Sequence, residues 1–120
     1  MLALRSALVP AAIGLAFLLG AIPLSASVAQ AEDRQEVTFV FKNHKIVPDK
    51  LKLPAGMKFK FIIQNQDDAA EEFESVRLNR EKVVPAGGQI VVLVGPLSPG
   101  VYDYFGDFHP DTARGELTIE

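Results

Sequence analysis

The chain has 120 residues, a formal net charge of −3, and neither cysteine nor tryptophan. That length holds one domain, and the lack of cysteine excludes disulfides and thiolate ligands outright. The acidic balance argues against nucleic acid as a partner, which needs basic stripes.

Residues 1–31 read as an export signal. Arg5 precedes an apolar, charge-free run over residues 7–24, and Ala29, Gln30 and Ala31 supply the small-x-small pattern of a signal peptidase site. Cleavage is expected between Ala31 and Glu32. The alternative is an uncleaved anchor, because roughly 18 apolar residues can just span a bilayer. Pro10, Pro23 and the Ala-x-Ala exit favour cleavage. No cysteine stands near the exit to carry a lipid. The expected location is therefore the periplasm.

After cleavage about 90 residues remain, mildly acidic, with a polar leader over residues 32–36. A domain this small is marginal in the core it can bury, and exported domains of this size often rely on disulfides or a metal. Here only packing, and a metal held by oxygen and nitrogen, are available.

The domain itself, residues 37–120, reads as a series of short strands. Val37, Thr38, Phe39, Val40 and Phe41 are β-branched or aromatic and end at Asn43. Pro48 and Asp49 signal a turn, Leu51 and Leu53 alternate as in a short strand, and Pro54, Ala55 and Gly56 turn again. Residues 58–65 alternate charge with aromatic side chains and then become apolar, as a strand does on passing from rim to core. Residues 69–78 contain alanine and glutamate, which favour a helix, yet read better with period two. That period puts Glu72, Glu74, Val76 and Leu78 on one face and Phe73, Ser75 and Arg77 on the other. With Val76 and Leu78 turned to a core, the two carboxylates would lie at the rim on the same side. Residues 89–94 form a clear strand. The closing segment has Tyr102, Tyr104 and Gly106 on one face, a loop with His109, and a final strand. Seven or eight strands with turn signals every eight to twelve residues indicate an all-β, antiparallel Greek-key sandwich. An immunoglobulin-type sandwich lacks support without a cysteine pair or a tryptophan.

Four features, in order, carry a resemblance. Pro48-x-x-Leu51-x-Leu53-Pro54-Ala55-Gly56 comes first, then Asn65 at a strand end, Pro85-Ala86-Gly87, and Gly100-x-Tyr102-x-Tyr104 leading to His109. Together they resemble the cupredoxins over the whole of residues 37–120. Within that family the chain is most similar to the cupredoxin-like domain of bacterial periplasmic iron-uptake systems, of the EfeO and FtrB type. The nearest points are Glu72-Phe73-Glu74, the run from Glu81 to Gly87, and Gly106-Asp107-Phe108-His109-Pro110.

The resemblance also locates departures. Blue-copper members place a cysteine on the penultimate strand, a histidine three residues later and a methionine a few residues on. Those positions fall here on Gly106, His109 and the neighbourhood of Ala113 and Arg114. The second histidine ligand falls among Glu71, Glu72 and Glu74. Without a thiolate there is no type 1 copper centre, so a blue electron carrier is excluded.

The candidate metal ligands are Glu72, Glu74 and His109, with His44 as a fourth, and Asp107 as a loop residue able to reach an ion. Carboxylates with imidazole suit Cu(II), iron, Mn or Zn and do not suit Cu(I). The resemblance implies a copper(II) or iron site built on the Glu-x-Glu pair, and a membrane iron permease with other periplasmic iron-uptake components as partners. Membrane contact would come only through such a partner. The bland readings remain beside this one: strand-edge glutamates block edge pairing, and His109 and His44 serve as loop or packed histidines. No serine-histidine-acid order, phosphate-binding glycine loop or zinc-finger spacing is present. Metal binding and delivery rank first, Fe(II) oxidation second, and a metal-free protein-binding sandwich third.

Overall fold

The computed structural model describes Gly20 and residues 33–120. The expected export signal over residues 1–31, and Glu32 of the leader, lie outside the described residues. Strand β1 (Gln35–Lys42) already takes in the last two residues of the expected leader, Gln35 and Glu36. The remaining strands are β2 (Lys45–Val47), β3 (Lys50–Leu53), β4 (Phe59–Asn65), β5 (Glu71–Ser75), β6 (Arg80–Val84), β7 (Gln89–Val94), β8 (Gly100–Gly106) and β9 (Arg114–Ile119).

These strands form two sheets, ordered β2-β1-β4-β7 and β3-β9-β8-β5-β6. The expected all-β sandwich is present, with nine strands where seven or eight were read. The added elements are short: β2 has three residues, and four of the five in β6 are exposed, so neither carries much apolar signal. The pairing is also not purely antiparallel, since β1 runs parallel to β4 and β3 parallel to β9. The reason is topological. Strand β3 lies in the second sheet, so the chain re-enters the first beside β1 running the same way.

Alternation fills the core from both sheets. Phe39, Phe41, Phe59, Phe61 and Ile63 face inward from β1 and β4 and are fully buried; Phe73, Tyr104, Leu117 and Ile119 meet them from the second sheet. Phe39 sits at the centre, with ring centroids 4.9 Å from Phe61, 5.0 Å from Tyr104 and 5.9 Å from Phe73. The inward row Tyr102, Tyr104 and Gly106 on β8 agrees with the sequence reading. Tyr102 donates its hydroxyl to the Ser98 carbonyl at 2.9 Å, and Tyr104 donates to the Pro48 carbonyl. Burial pushes the Tyr104 phenol upward, so it remains a donor. Tyr104 needs glycine opposite it in the ladder, because a Cβ on Gly115 would strike its ring.

Strand β5 corrects one expectation. Glu71, Phe73 and Ser75 are its buried residues, while Glu72 and Glu74 point outward. Val76, expected inward, is 76% exposed. Leu78 is buried, but reaches the core from outside the strand. The ladder ends at Ser75, and a turn follows in which Asn79 takes φ 54° and its N–H donates to the Val76 carbonyl at 3.0 Å. A side-chain period cannot be carried through such a turn. Phe73, the one large aromatic in the segment, sets the register.

Candidate functional site

Three chain segments meet at the end of the sandwich where β4 finishes and β5 begins. The first is the β1–β2 turn, where Asn43 and His44 take φ 53° and 57°. This left-handed pair leaves two N–H groups pointing the same way, and the Asp67 carboxylate accepts both, at 2.7 Å from Asn43 and 3.0 Å from His44. The His44 N–H is the main reason the Asp67 carboxyl is held below the usual range. Asp67 is placed in turn by Asn65, whose side-chain oxygen accepts the Asp67 N–H at 3.0 Å. The Asn65 amide donates to the Ala69 carbonyl at 2.8 Å and the Val84 carbonyl at 3.2 Å.

The second segment is the loop leaving β8. Its turn is closed by the Gly106 N–H to the Ala113 carbonyl at 2.8 Å, the Ala113 N–H to the His109 carbonyl at 2.9 Å, and the His109 N–H to the Gly106 carbonyl at 3.1 Å. The Asp107 N–H donates to the Glu72 carbonyl at 2.8 Å, which ties the loop to β5. The Thr112 hydroxyl donates to the His44 carbonyl. These contacts stack the His109 ring on that of His44, with centroids 3.7 Å apart and planes 10° from parallel.

The third is the start of β5, and its inward side carries a residue that the ligand reading passed over. Glu71 is 3% exposed. Its Oε2 lies 2.6 Å from His109 Nδ1, and its Oε1 accepts the N–H of Phe108 at 2.8 Å and of Glu72 at 3.0 Å. Glu71 was one of three glutamates at the family's second histidine position. What singled it out was available in the sequence: it lies two residues before Phe73, on the face that the aromatic residue commits to the core.

On the opposite face of β5, Glu72 and Glu74 stand beside Asp107, with one carboxylate oxygen from each within 4.8 Å of the others. Glu81 faces Glu74 across the β5–β6 ladder. Partial desolvation, then the charges of Glu81 and Asp107, raise the carboxyl of Glu72 above the ordinary range. The Glu74 carboxyl is raised by the same desolvation, with Asp107 ahead of Glu81 among the charges. Among the described residues this is the group of three carboxylate or imidazole ligands close enough to share an ion, and neither histidine belongs to it. The structure thus gathers the four expected ligands as two pairs: Glu72 and Glu74 with Asp107 outside the sheet, and His109 on His44 at its end.

A family model described as the cupredoxin-like domain matches residues 15–119. This chain belongs to the cupredoxin-like domain family. The uncharacterized protein RP394 of Rickettsia prowazekii is 46% identical over 84 residues, covering 70% of this chain and 67% of that protein. Similar solved structures include the metal-binding domain of the Streptococcus pneumoniae Cu(I)-exporting P-type ATPase CopA, with a TM-score of 0.63 at 11% identity over 75% of this chain and 89% of that one. Auracyanin A, a blue copper protein of Chloroflexus aurantiacus, has a TM-score of 0.63 at 10% identity over 73% of this chain and 100% of its own. A reduced amicyanin variant gives 0.57 at 18% identity over 71% of this chain and 82% of that one. These neighbours are copper proteins, and at such identities they establish the fold.

The residues present do not fit a type 1 copper ion. No cysteine is present, and at Gly106, where the resemblance puts the thiolate, an added Cβ would lie 2.7 Å from Glu71 Cδ and 2.9 Å from Ala113 Cβ. Ala113, in the methionine region, is fully buried and offers no donor.

Proposed function

We propose that this cupredoxin-like protein is exported to the periplasm, binds Cu(II) or iron, and assists ferrous iron uptake through a membrane permease and its periplasmic partners. The observation that carries the reading is the Glu72, Glu74 and Asp107 cluster, where three carboxylate oxygens converge on one exposed corner. Hard oxygen donors favour iron and Cu(II) over Cu(I). Desolvation first and the neighbouring charges of Glu81 and Asp107 second raise the carboxyls of Glu72 and Glu74, and a cation there would offset those charges. The export signal read in the sequence supports the compartment, and the resemblance of Glu72-Phe73-Glu74 and of the His109 loop to iron-uptake domains supports the partner.

The test is calorimetric titration of the metal-free protein with Cu(II) and, anaerobically, with Fe(II), beside a variant carrying Glu72→Gln and Glu74→Gln. Saturable binding lost in that variant is the expected result. Equal binding by both proteins would sink the carboxylate site. Oxygen consumption on adding Fe(II) would move the assignment from delivery to ferrous oxidation.

A second reading, a metal-free sandwich that binds another protein, is favoured by one observation: the Glu71 carboxylate already fills the inner corner. Absence of saturable binding by either metal would select it.

A further inference from the structure

We infer that Glu71 takes the place of the family's metal ion, so that a carboxylate rather than a bound metal closes this end of the sandwich. Of the positions that the resemblance gives to blue-copper ligands, Gly106, His109 and Ala113 meet here with Glu71, the inward one of the three glutamates at the remaining position. The Glu71 carboxylate lies against Gly106 and reaches His109 Nδ1 and two backbone N–H groups, joining β5 to the loop leaving β8 as an ion would. Gly106 is required for this: a Cβ there would meet Glu71 Cδ at 2.7 Å and Oε1 at 3.0 Å. A cysteine at Gly106 and a glutamate at Glu71 are therefore mutually exclusive in this geometry.

The hydrogen bonding closes without an orphan. Among the described residues no buried side-chain nitrogen or oxygen lacks a partner. Glu71 Oε1 already accepts two backbone N–H groups, and with Oε2 accepting likewise the hydrogen between Glu71 and His109 lies on Nδ1. With its hydrogen in place Nδ1 has no lone pair for a metal, and only Nε2, on the far side of the ring, keeps one. The ring nitrogen that faces Glu71 is therefore closed to a metal, and the inner corner beside Gly106 holds a carboxylate where an ion would sit. The outward carboxylates of Glu72 and Glu74 belong to the opposite face of β5, so this inference stands apart from the metal-delivery reading.

The experiment is nitrogen NMR of histidine-labelled, metal-free protein, with Zn(II) as a diamagnetic probe and thermal unfolding in parallel. In the wild type, His109 Nδ1 keeps its hydrogen when Zn(II) is added. Glu71→Ala lowers Tm by about 10 °C or more, since it strips a half-buried imidazole and two N–H groups of their acceptor. Glu71→Gln keeps an oxygen for the Phe108 N–H, but its amide can only donate toward His109. That variant switches the ring to the tautomer with hydrogen on Nε2, and it keeps the test valid should the alanine variant fail to fold. Loss of the hydrogen from wild-type Nδ1 on adding Zn(II), or an unchanged tautomer in Glu71→Gln, would overturn the inference. Calorimetric absence of metal binding at Glu72 and Glu74 would sink the delivery function and leave the role of Glu71 intact.

Discussion

Replacing Phe39 by alanine tests whether the two sheets are held together as described. Phe39 is fully buried and touches Phe61 in its own sheet and Phe73 and Tyr104 in the other. Truncating a buried phenylalanine costs about 3–5 kcal/mol. Each well-oriented aromatic pair adds about 0.5–1.5 kcal/mol beyond area, and three ring partners place Phe39→Ala at the upper end. A domain of about 90 residues has roughly 4–13 kcal/mol in total, so this one change removes a third of its stability or more. Phe39→Leu, which keeps most of the apolar volume, should cost only about 1–2 kcal/mol. Urea unfolding can be followed by tyrosine emission, because the chain has no tryptophan and both tyrosines are in the core. With a slope of about 1–3 kcal/mol per molar urea, the alanine variant should lose about 2 M in midpoint. A midpoint shift below about 0.5 M would refute the packing argument, for it would mean that Phe39 contributes little more than an exposed residue.

Two further outcomes follow from the polar end of the sandwich. Because Glu72 and Glu74 are raised in the folded state, the native protein binds more protons than the unfolded chain between the ordinary glutamate range and the raised values. Their contribution therefore falls as pH rises through that window, and is constant above it. Tm against pH should be flatter in the Glu72→Gln, Glu74→Gln protein than in the wild type, and identical slopes would contradict the like-charge account. The difference between the two proteins isolates this effect from Asp67, whose lowered carboxyl acts in the opposite sense at lower pH. Asn65→Ala removes two donors and one acceptor at a buried site, which should cost about 2–3 kcal/mol. It should also speed hydrogen exchange at the Asn43 and His44 amides by releasing Asp67; unchanged exchange there would separate Asn65 from the His44 turn.

The inner face of β8 and the passage of β4 from rim to core at Phe61 and Ile63 were legible because alternation over four or more residues reports a face directly. Glycine at Gly106 and alanine at Ala113 were legible as losses, since an absent sulfur needs no coordinates to be noticed. Where the pattern was interrupted, legibility ended. The segment from Glu71 to Leu78 has apolar residues on both sides of a turn, and the turn after Ser75 breaks the period that would relate them. With Val76 on the core side the faces of β5 come out reversed, and Glu72 and Glu74 take the inward place that belongs to Glu71.

By itself the sequence determined an all-β sandwich of short strands, an oxygen and nitrogen donor set in place of sulfur, and the loop that carries His109. Those properties reside in composition and in period-two runs, which act locally. Only the tertiary structure decided that His109 meets Glu71 across 38 positions and His44 across 65. Neither spacing has a local signature, because both contacts depend on the register between β5 and β8 and on a left-handed turn pinned by Asp67. A one-residue slip in β5 would exchange the buried carboxylate for an exposed one. The choice between a filled corner and an open metal site is made there, by the packing of Phe73.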